Sequence, residues 1–422
     1  MKAEPESPTG NEGDQAASSA SLPSLMLRFL IIGAIGFGGG MAVIALMERD
    51  LVLKRRLLPA EEFLHGVGFS QLLGPFAVNT AFFVGCRLFG PLGGLLCAGA
   101  FMVPSVLLVI LLSWLYFAYH SIPSLQAAVQ GVGPVVIALI VAAAWSLGRK
   151  ALRSWPAVVV ALLALALSLL KVNAVYVLAT AGALGLLTGN RRLGGGSPPK
   201  AGGTGGGSVH KEEERGGGEP GMPQELPSRS PVLPIQAFTV PGASQAAAGT
   251  SLAALVWTFL KVGLVFFGGG FVLIPILHQK LVTQLHWLNN REFLDGVAIS
   301  NLTPGPIAVL ATFAGYHLHG VSGALAATLA LFAPAMALMT VLTLGYVRFK
   351  GNARFEDFLA GVSPAVAGLI VGAAVLLGPS ALHGLPGWAL MALALLLLLK
   401  FKVHPVFPLA AGALLGAAGW LA

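Results

Sequence analysis

Two runs of three glycines stand in the middle of apolar stretches where a helix is otherwise expected: Gly38-Gly39-Gly40 after Phe37, and Gly268-Gly269-Gly270 after Phe267. Each glycine costs a helix about 1 kcal/mol relative to alanine. The chain there either packs closely on a neighbouring helix through its small residues or unwinds and turns backbone N–H groups toward a ligand. Unpaired N–H groups at a helix break carry partial positive charge, which suits an anion. Two further segments have the same character, Ser70-Gln71-Leu72-Leu73-Gly74-Pro75 and Ser300-Asn301-Leu302-Thr303-Pro304-Gly305-Pro306. Glycine and proline stop one helix and start the next. Gln71, Asn301, Thr303, Ser70 and Ser300 add side-chain donors, and Asn79 follows a short way into the next helix. Serine and asparagine also cap helix ends with no ligand present.

Arg87 is the cation best placed to meet an anion beside such a tip, with His317 and then His319 at the matching place downstream. Its alternative role is that of an interfacial arginine snorkelling to lipid phosphate, a role still better suited to Lys261. Glu62 and Glu292 follow Pro59 and Asn289 in a pattern of helix N-terminal capping. Apart from these glutamates and Asp295, no acidic residue falls at membrane depth. That leaves no cation-binding cluster, no metal site and few groups for a proton relay. The expected site is electropositive, built from dipoles, amides and one or two cations, and an oxyanion fits it better than a metal ion or an amine.

These residues come in pairs because the chain contains itself twice, at an offset of 230 residues. The offset joins Glu62-Phe63-Leu64 to Glu292-Phe293-Leu294, Gly85 to Gly315, Gly90 to Gly320, Pro104 to Pro334, Tyr116 to Tyr346 and Gly131-Val132 to Gly361-Val362. An internal repeat in an apolar chain is the usual trace of a transporter whose site lies between two related halves.

Apolar residues make up 56% of the chain and charged residues 10%, and mean hydropathy is +0.81, which a soluble domain could not carry. The expected class is an all-α polytopic membrane protein. The net charge of +8 sits in short loops between apolar runs, so it reports topology and not nucleic-acid binding. Cys86 and Cys97 are the two cysteines, without disulfide or metal-ligand spacing. Residues 1–24 are expected as a disordered polar tail and 189–250 as a Gly/Pro-rich flexible linker, leaving repeats over 25–188 and 251–422.

Spans are expected near 26–47, 92–117, 126–147, 155–170 and 174–188, and again near 253–277, 322–346, 360–377, 387–400 and 405–421. Between the first two of each set lie 62–87 and 292–317, apolar but broken by glycine and proline, and expected as re-entrant helical hairpins. Five spans and a hairpin per repeat invert the second copy relative to the first. The loops agree: Arg149, Lys150 and Arg153 follow the third span of the first repeat, whereas Arg348, Lys350 and Arg354 follow the second span of the other. Under the positive-inside rule those loops are cytoplasmic, and both termini lie outside. If the hairpins cross completely, twelve spans and parallel halves result.

The chain resembles the chromate ion transporter (CHR) family in its long, two-repeat form. The resemblance rests on Phe-Gly-Gly-Gly at 37–40 and 267–270, the Pro-Gly-Pro of 304–306 after Asn301-Leu302, the Gly85/Gly315 and Gly90/Gly320 spacing, and Pro104/Pro334. It implies a secondary transporter that exports chromate, a divalent tetrahedral oxyanion, from the bacterial cytoplasm and so gives chromate resistance. No cofactor is implied. The implied partners are a chromate- or sulfate-like oxyanion and the bilayer of the cell inner membrane, with a homodimer allowed and no nucleic acid. One departure is that Leu73-Gly74-Pro75 stands where the second repeat has the full Pro-Gly-Pro. A carrier for sulfate or another oxyanion, including uptake, asks for the same cage. A membrane-embedded enzyme does not fit, because neither a Ser/His/Asp set, a paired-carboxylate site nor HExxH is present.

Overall fold

The computed structural model describes residues 21–36, 40–119, 123–170, 172, 174–188, 250–266, 270–345 and 353–420. The expected N-terminal tail and almost all of the expected linker lie outside them. The described residues are helical and form no strand. In the first repeat the helices are α1 (Leu22–Ile35), α2 (Gly40–Met47, continued by a π-helical segment Glu48–Lys54), α3 (Ala60–Leu72), α4 (Phe76–Tyr119), α5 (Pro123–Ala151), α6 (Trp155–Leu169) and α7 (Ala174–Thr188). The second repeat matches them with α8 (Leu252–Val265), a 3₁₀ turn Gly270–Val272 leading into α9 (Leu273–Leu277) and a π-helical His278–Gln284, then α10 (Asn290–Leu302). A 3₁₀ turn Ile307–Val309 opens α11 (Leu310–Leu344), followed by α12 (Ala353–Ala381), α13 (Gly384–Leu399) and α14 (Val406–Ala417). Among the described residues four apolar helical stretches are long enough to cross a bilayer: Phe76–Tyr119, Ala127–Arg149, Ile307–Leu344 and Gly361–Ala381.

Local chemistry sets the ends. Asn289 and Glu292 form the expected capping box at α10, with Asn289 Oδ1 accepting from Glu292 N at 2.9 Å and Glu292 Oε2 from Asn289 N at 2.8 Å. Glu62 makes no such cap, because Pro59 has no side-chain acceptor for it to answer.

The long helices are not straight rods. Thr312 and Thr328, both in α11, share a hydrogen bond of 2.8 Å, although sixteen residues of continuous helix would hold them about 24 Å apart. The chain turns back on itself at His319 and Gly320 (φ +59°), as α4 does at Phe89 and Gly90 (φ +72°). The segment expected as a span at 26–47 also folds back. Arg28 on α1 pairs with Asp50 beyond the glycine triplet at 3.2 Å, a contact that a collinear helix would stretch beyond the reach of an arginine. Each repeat therefore carries two helical hairpins where one was expected. The chain consequently enters α1 from the end that holds Arg49 and Arg55.

The two repeats run in opposite directions. Thr343, at the end of α11, lies beside Cys86, which touches Gly94 at the start of the outgoing arm of α4. At the other end of that arm Phe117 stacks on Phe313 (5.4 Å, 27°) and Tyr316 (6.2 Å, 14°) at the start of α11. Gly133, near the start of α5, likewise lies against Ala381 at the end of α12. Equivalent helices are thus antiparallel, which is the inversion that the loop charges require. The core forms between the copies: α5 packs on α13 and α14, and α12 packs on α6 and α7.

Candidate functional site

A cavity of about 270 Å³ lies where the copies meet, several times the ~30 Å³ share of one water. Four helix starts open onto it: Gly40 of α2, Phe76 of α4, Gly270 of the segment leading into α9, and Ile307 of the turn leading into α11. First-turn N–H groups have no acceptor within their own helix, so each start turns the positive end of its backbone dipole toward the cavity, and Phe76 N, the first of α4, donates to Gly74 O at 2.8 Å. Among the described lining residues none is Asp, Glu, Lys or Arg.

The hairpin tips reach this level by docking on the breaks of the opposite copy. Gly305 N donates to Gly36 O at 3.3 Å, and Ser105 Oγ, midway along the outgoing arm of α4, donates to the carbonyl of Pro304. Gly74 sits against the carbonyl of Phe266, the residue at which α8 ends. Gly74 and Gly305 have φ of +90° and +105°, which a residue with Cβ rarely adopts. The second tip is one residue longer, and the 3₁₀ turn Ile307–Val309 absorbs the difference before the register returns.

Side chains at the end of α10 turn their donors inward, toward their own helix. Ser300 Oγ donates to Gly296 O (2.7 Å), Asn301 Nδ2 to Val297 O (2.8 Å) and Thr303 Oγ1 to Ser300 O (3.1 Å). This quenches carbonyls at the negative end of the helix, while Gly305 N quenches that of Gly36. The three side chains therefore spend a donor on their own helix, which leaves the second Nδ2 hydrogen of Asn301 outside these bonds.

Of the expected site residues, Gly40, Gly270, Asn301, Thr303 and Gly305 line this one cavity. Gly74 lies next to the lining residue Pro75. Gly38, Gly39, Gly268 and Gly269 lie outside the described residues, as does the side chain of Gln71; the helices end at Ile35 and Val265 and resume at Gly40 and Gly270. Three residues are placed elsewhere. Asn79 is fully buried and braces the first tip by donating from Nδ2 to Leu73 O at 3.0 Å. Arg87 pairs with Glu62 at the base of its hairpin, tying α3 to the far end of the first arm of α4. His317 is buried with its ring 4.8 Å from that of Phe117.

The sequence reading missed His404. It lies between α13 and α14, lines the cavity with Pro405, and accepts from Val406 N at Nδ1 (3.3 Å), which leaves Nε2 as its donor position. The available signal was a lone histidine before proline between two short apolar segments; its repeat partner is Ala174, so the doubling could not flag it.

The family model described as "Chromate transporter" matches residues 23–186 and 253–417. A probable chromate transport protein of Synechococcus elongatus is 33% identical, over 89% of this chain and 89% of its own length. Chromate transport proteins of Cupriavidus metallidurans (30%, 92% of this chain and 90% of its own) and Pseudomonas aeruginosa (32%, 95% and 92%) are similar throughout. No solved structure matches.

Proposed function

Since the chain belongs to the chromate transporter family, we propose that it is a secondary carrier of the cell inner membrane that exports chromate from the cytoplasm and so confers chromate resistance. The observation that carries this reading is the convergence of four helix starts, from both copies, on one cavity without a charged lining residue. A tetrahedral dianion needs several donors from different directions to replace its water. Helix N-termini supply them from fixed backbone without trapping the ion in a salt bridge. Because each tip is docked on the other copy's break, a rocking motion of one repeat against the other changes the exposure of the site, as inverted repeats allow. The end of the bundle bearing Arg149, Arg153 and Arg354 is cytoplasmic by the positive-inside rule.

Sulfate has the same shape and charge, and the donor ring accepts it too; a sulfate carrier is the second reading. Radiolabelled chromate and sulfate in oriented vesicles, with the imposed gradient varied, test both. Outward chromate movement that sulfate inhibits is expected. Movement of neither ion would refute the carrier reading, and sulfate uptake without chromate movement would select the second.

A further inference from the structure

Asp295 is buried, 5% exposed, in α10. Its hydrogen-bond donor is the Tyr116 hydroxyl at 2.6 Å, so the contact joins the second repeat to the first. A second cavity of about 300 Å³ reaches this carboxylate, lined among others by Gln130 and Gly133 of α5, Arg291 and Asp295 of α10, and Ser380 and His383 at the end of α12. That cavity lies at the end of α5 opposite Arg149 and Arg153. Asp295 and the cavity-lining Asn301 share α10, about 9 Å apart along its axis. One short helix thus carries an ionisable group reached from one end of the bundle and the anion cavity at its other end.

We propose that Asp295 is a proton-binding site whose occupancy works the Tyr116–Asp295 contact between the repeats and couples oxyanion export to proton entry. The inference rests on the transport reading above. The step is a proton transfer alone: the carboxylate takes H⁺ from water in the cavity and becomes the neutral acid, and no other bond changes. An ionised carboxylate accepts the tyrosine proton in a charge-assisted hydrogen bond, about twice as strong as the neutral one. Protonation therefore loosens the latch and frees the empty carrier to reorient. Proton release on the cytoplasmic side restores it. Entry of a proton and exit of a dianion both move positive charge inward, so an inside-negative potential drives the exchange.

The ionisable groups around Asp295 are few. α10 itself brings Arg291 and Glu292, α4 brings Tyr116, α11 carries His317 against Phe117, and the turn after α12 brings His383. The π-helical segment before α10 brings His278, which is bonded to Asn290 at 2.9 Å. α14 contains no ionisable residue. At the equivalent place in the first repeat stands His65, on the oppositely directed hairpin.

The test uses the full chain in liposomes loaded with chromate and a pH-sensitive dye, with the potential clamped by potassium and valinomycin. Outward chromate movement by the wild type should acidify the lumen, and efflux should rise several-fold as external pH falls from about 8 to about 6. Asp295→Asn should abolish both effects while chromate still exchanges for external sulfate. Asp295→Glu should retain them, and Tyr116→Phe should shift the pH of half-maximal efflux. Chromate efflux without acidification, acidification with the same pH profile in Asp295→Asn, or an unshifted profile in Tyr116→Phe would overturn the proposal. If Asp295→Asn does not insert, the wild-type acidification and the Tyr116→Phe profile decide it. Failure of the wild type to move chromate at any pH is a separate result that removes the transport reading itself.

Discussion

Gly305 donates its N–H to the carbonyl of Gly36 across the boundary between the two copies of the repeat, at 3.3 Å. One residue is the tip of a hairpin in the second copy and the other is the end of α1 in the first. The contact fixes the level at which the tips and the breaks meet. Ser105, midway along a membrane-spanning arm, holds the same tip, so that level is near the middle of the apolar layer.

Gly305 should be intolerant of any side chain. At φ +105° a Cβ is strained, and it would collide with Ser105 Oγ. The two effects together cost about 2–4 kcal/mol. Gly305→Ala should lower the melting temperature in detergent and abolish transport, whereas Gly99→Ala, whose Cβ meets open space, should leave both unchanged. A stable, active Gly305→Ala protein would mean that the tip does not dock on Ser105.

Gly40 makes a different demand, since a methyl there meets the ring of Phe76 and not backbone. Gly40→Ala should reduce chromate transport, and Phe76→Leu should restore a large part of it by making room. Lack of rescue would show that the conformation of Gly40, and not its closeness to Phe76, is what transport needs.

Arg87 and Glu62 act as a pair. Arg87 is 40% exposed at the side chain, so the contact is worth no more than ~1 kcal/mol. Arg87→Gln and Glu62→Gln should each weaken transport modestly, and the double variant should be no worse than either. Complete loss in Arg87→Gln with full activity in Glu62→Gln would instead give Arg87 a direct role with the anion.

His404 should act through the N–H at Nε2, since its Nδ1 accepts from Val406 N. His404→Gln, which keeps a donor, should transport nearly as the wild type, and His404→Leu should lose about 2- to 10-fold in chromate affinity.

Much of this arrangement was legible because the repeat doubles every signal. The glycine triplets, the Gly-Pro tips and the reversal of loop charge between Arg149–Arg153 and Arg354 each point to broken helices in inverted copies, and the helices are placed so. What was not legible has physical causes. The apolar run 26–47 has the length of a span, and only the ion pair of Arg28 with Asp50 shows that it folds back. Arg87 looked like a free cation because its partner Glu62 also fits a capping pattern. Ser300 and Thr303 looked like ligand donors, but a hydroxyl one turn from a helix carbonyl bonds to it first. His404 has no counterpart in the first repeat, so nothing in the doubling marked it.

The inversion itself can be read by topology. Reporters fused after Arg153 and after Arg354 should both be cytoplasmic, and those within 118–124 and 378–386 external. Finding 118–124 on the same side as 348–354 would contradict the antiparallel packing of α5 and α12.

The most direct measurement of the central claim, an oxyanion held by uncharged helix starts between the copies, is protection of a cysteine at position 301. In a background of Cys86→Ser and Cys97→Ala, Asn301→Cys is treated with a small thiol reagent with and without anions. Chromate and sulfate should slow the labelling in a saturable way, chloride should not, and a cysteine replacing the membrane-facing Leu92 should be indifferent to all three. Equal labelling of Asn301→Cys with and without chromate and sulfate, in a protein that still transports, would place the anion elsewhere.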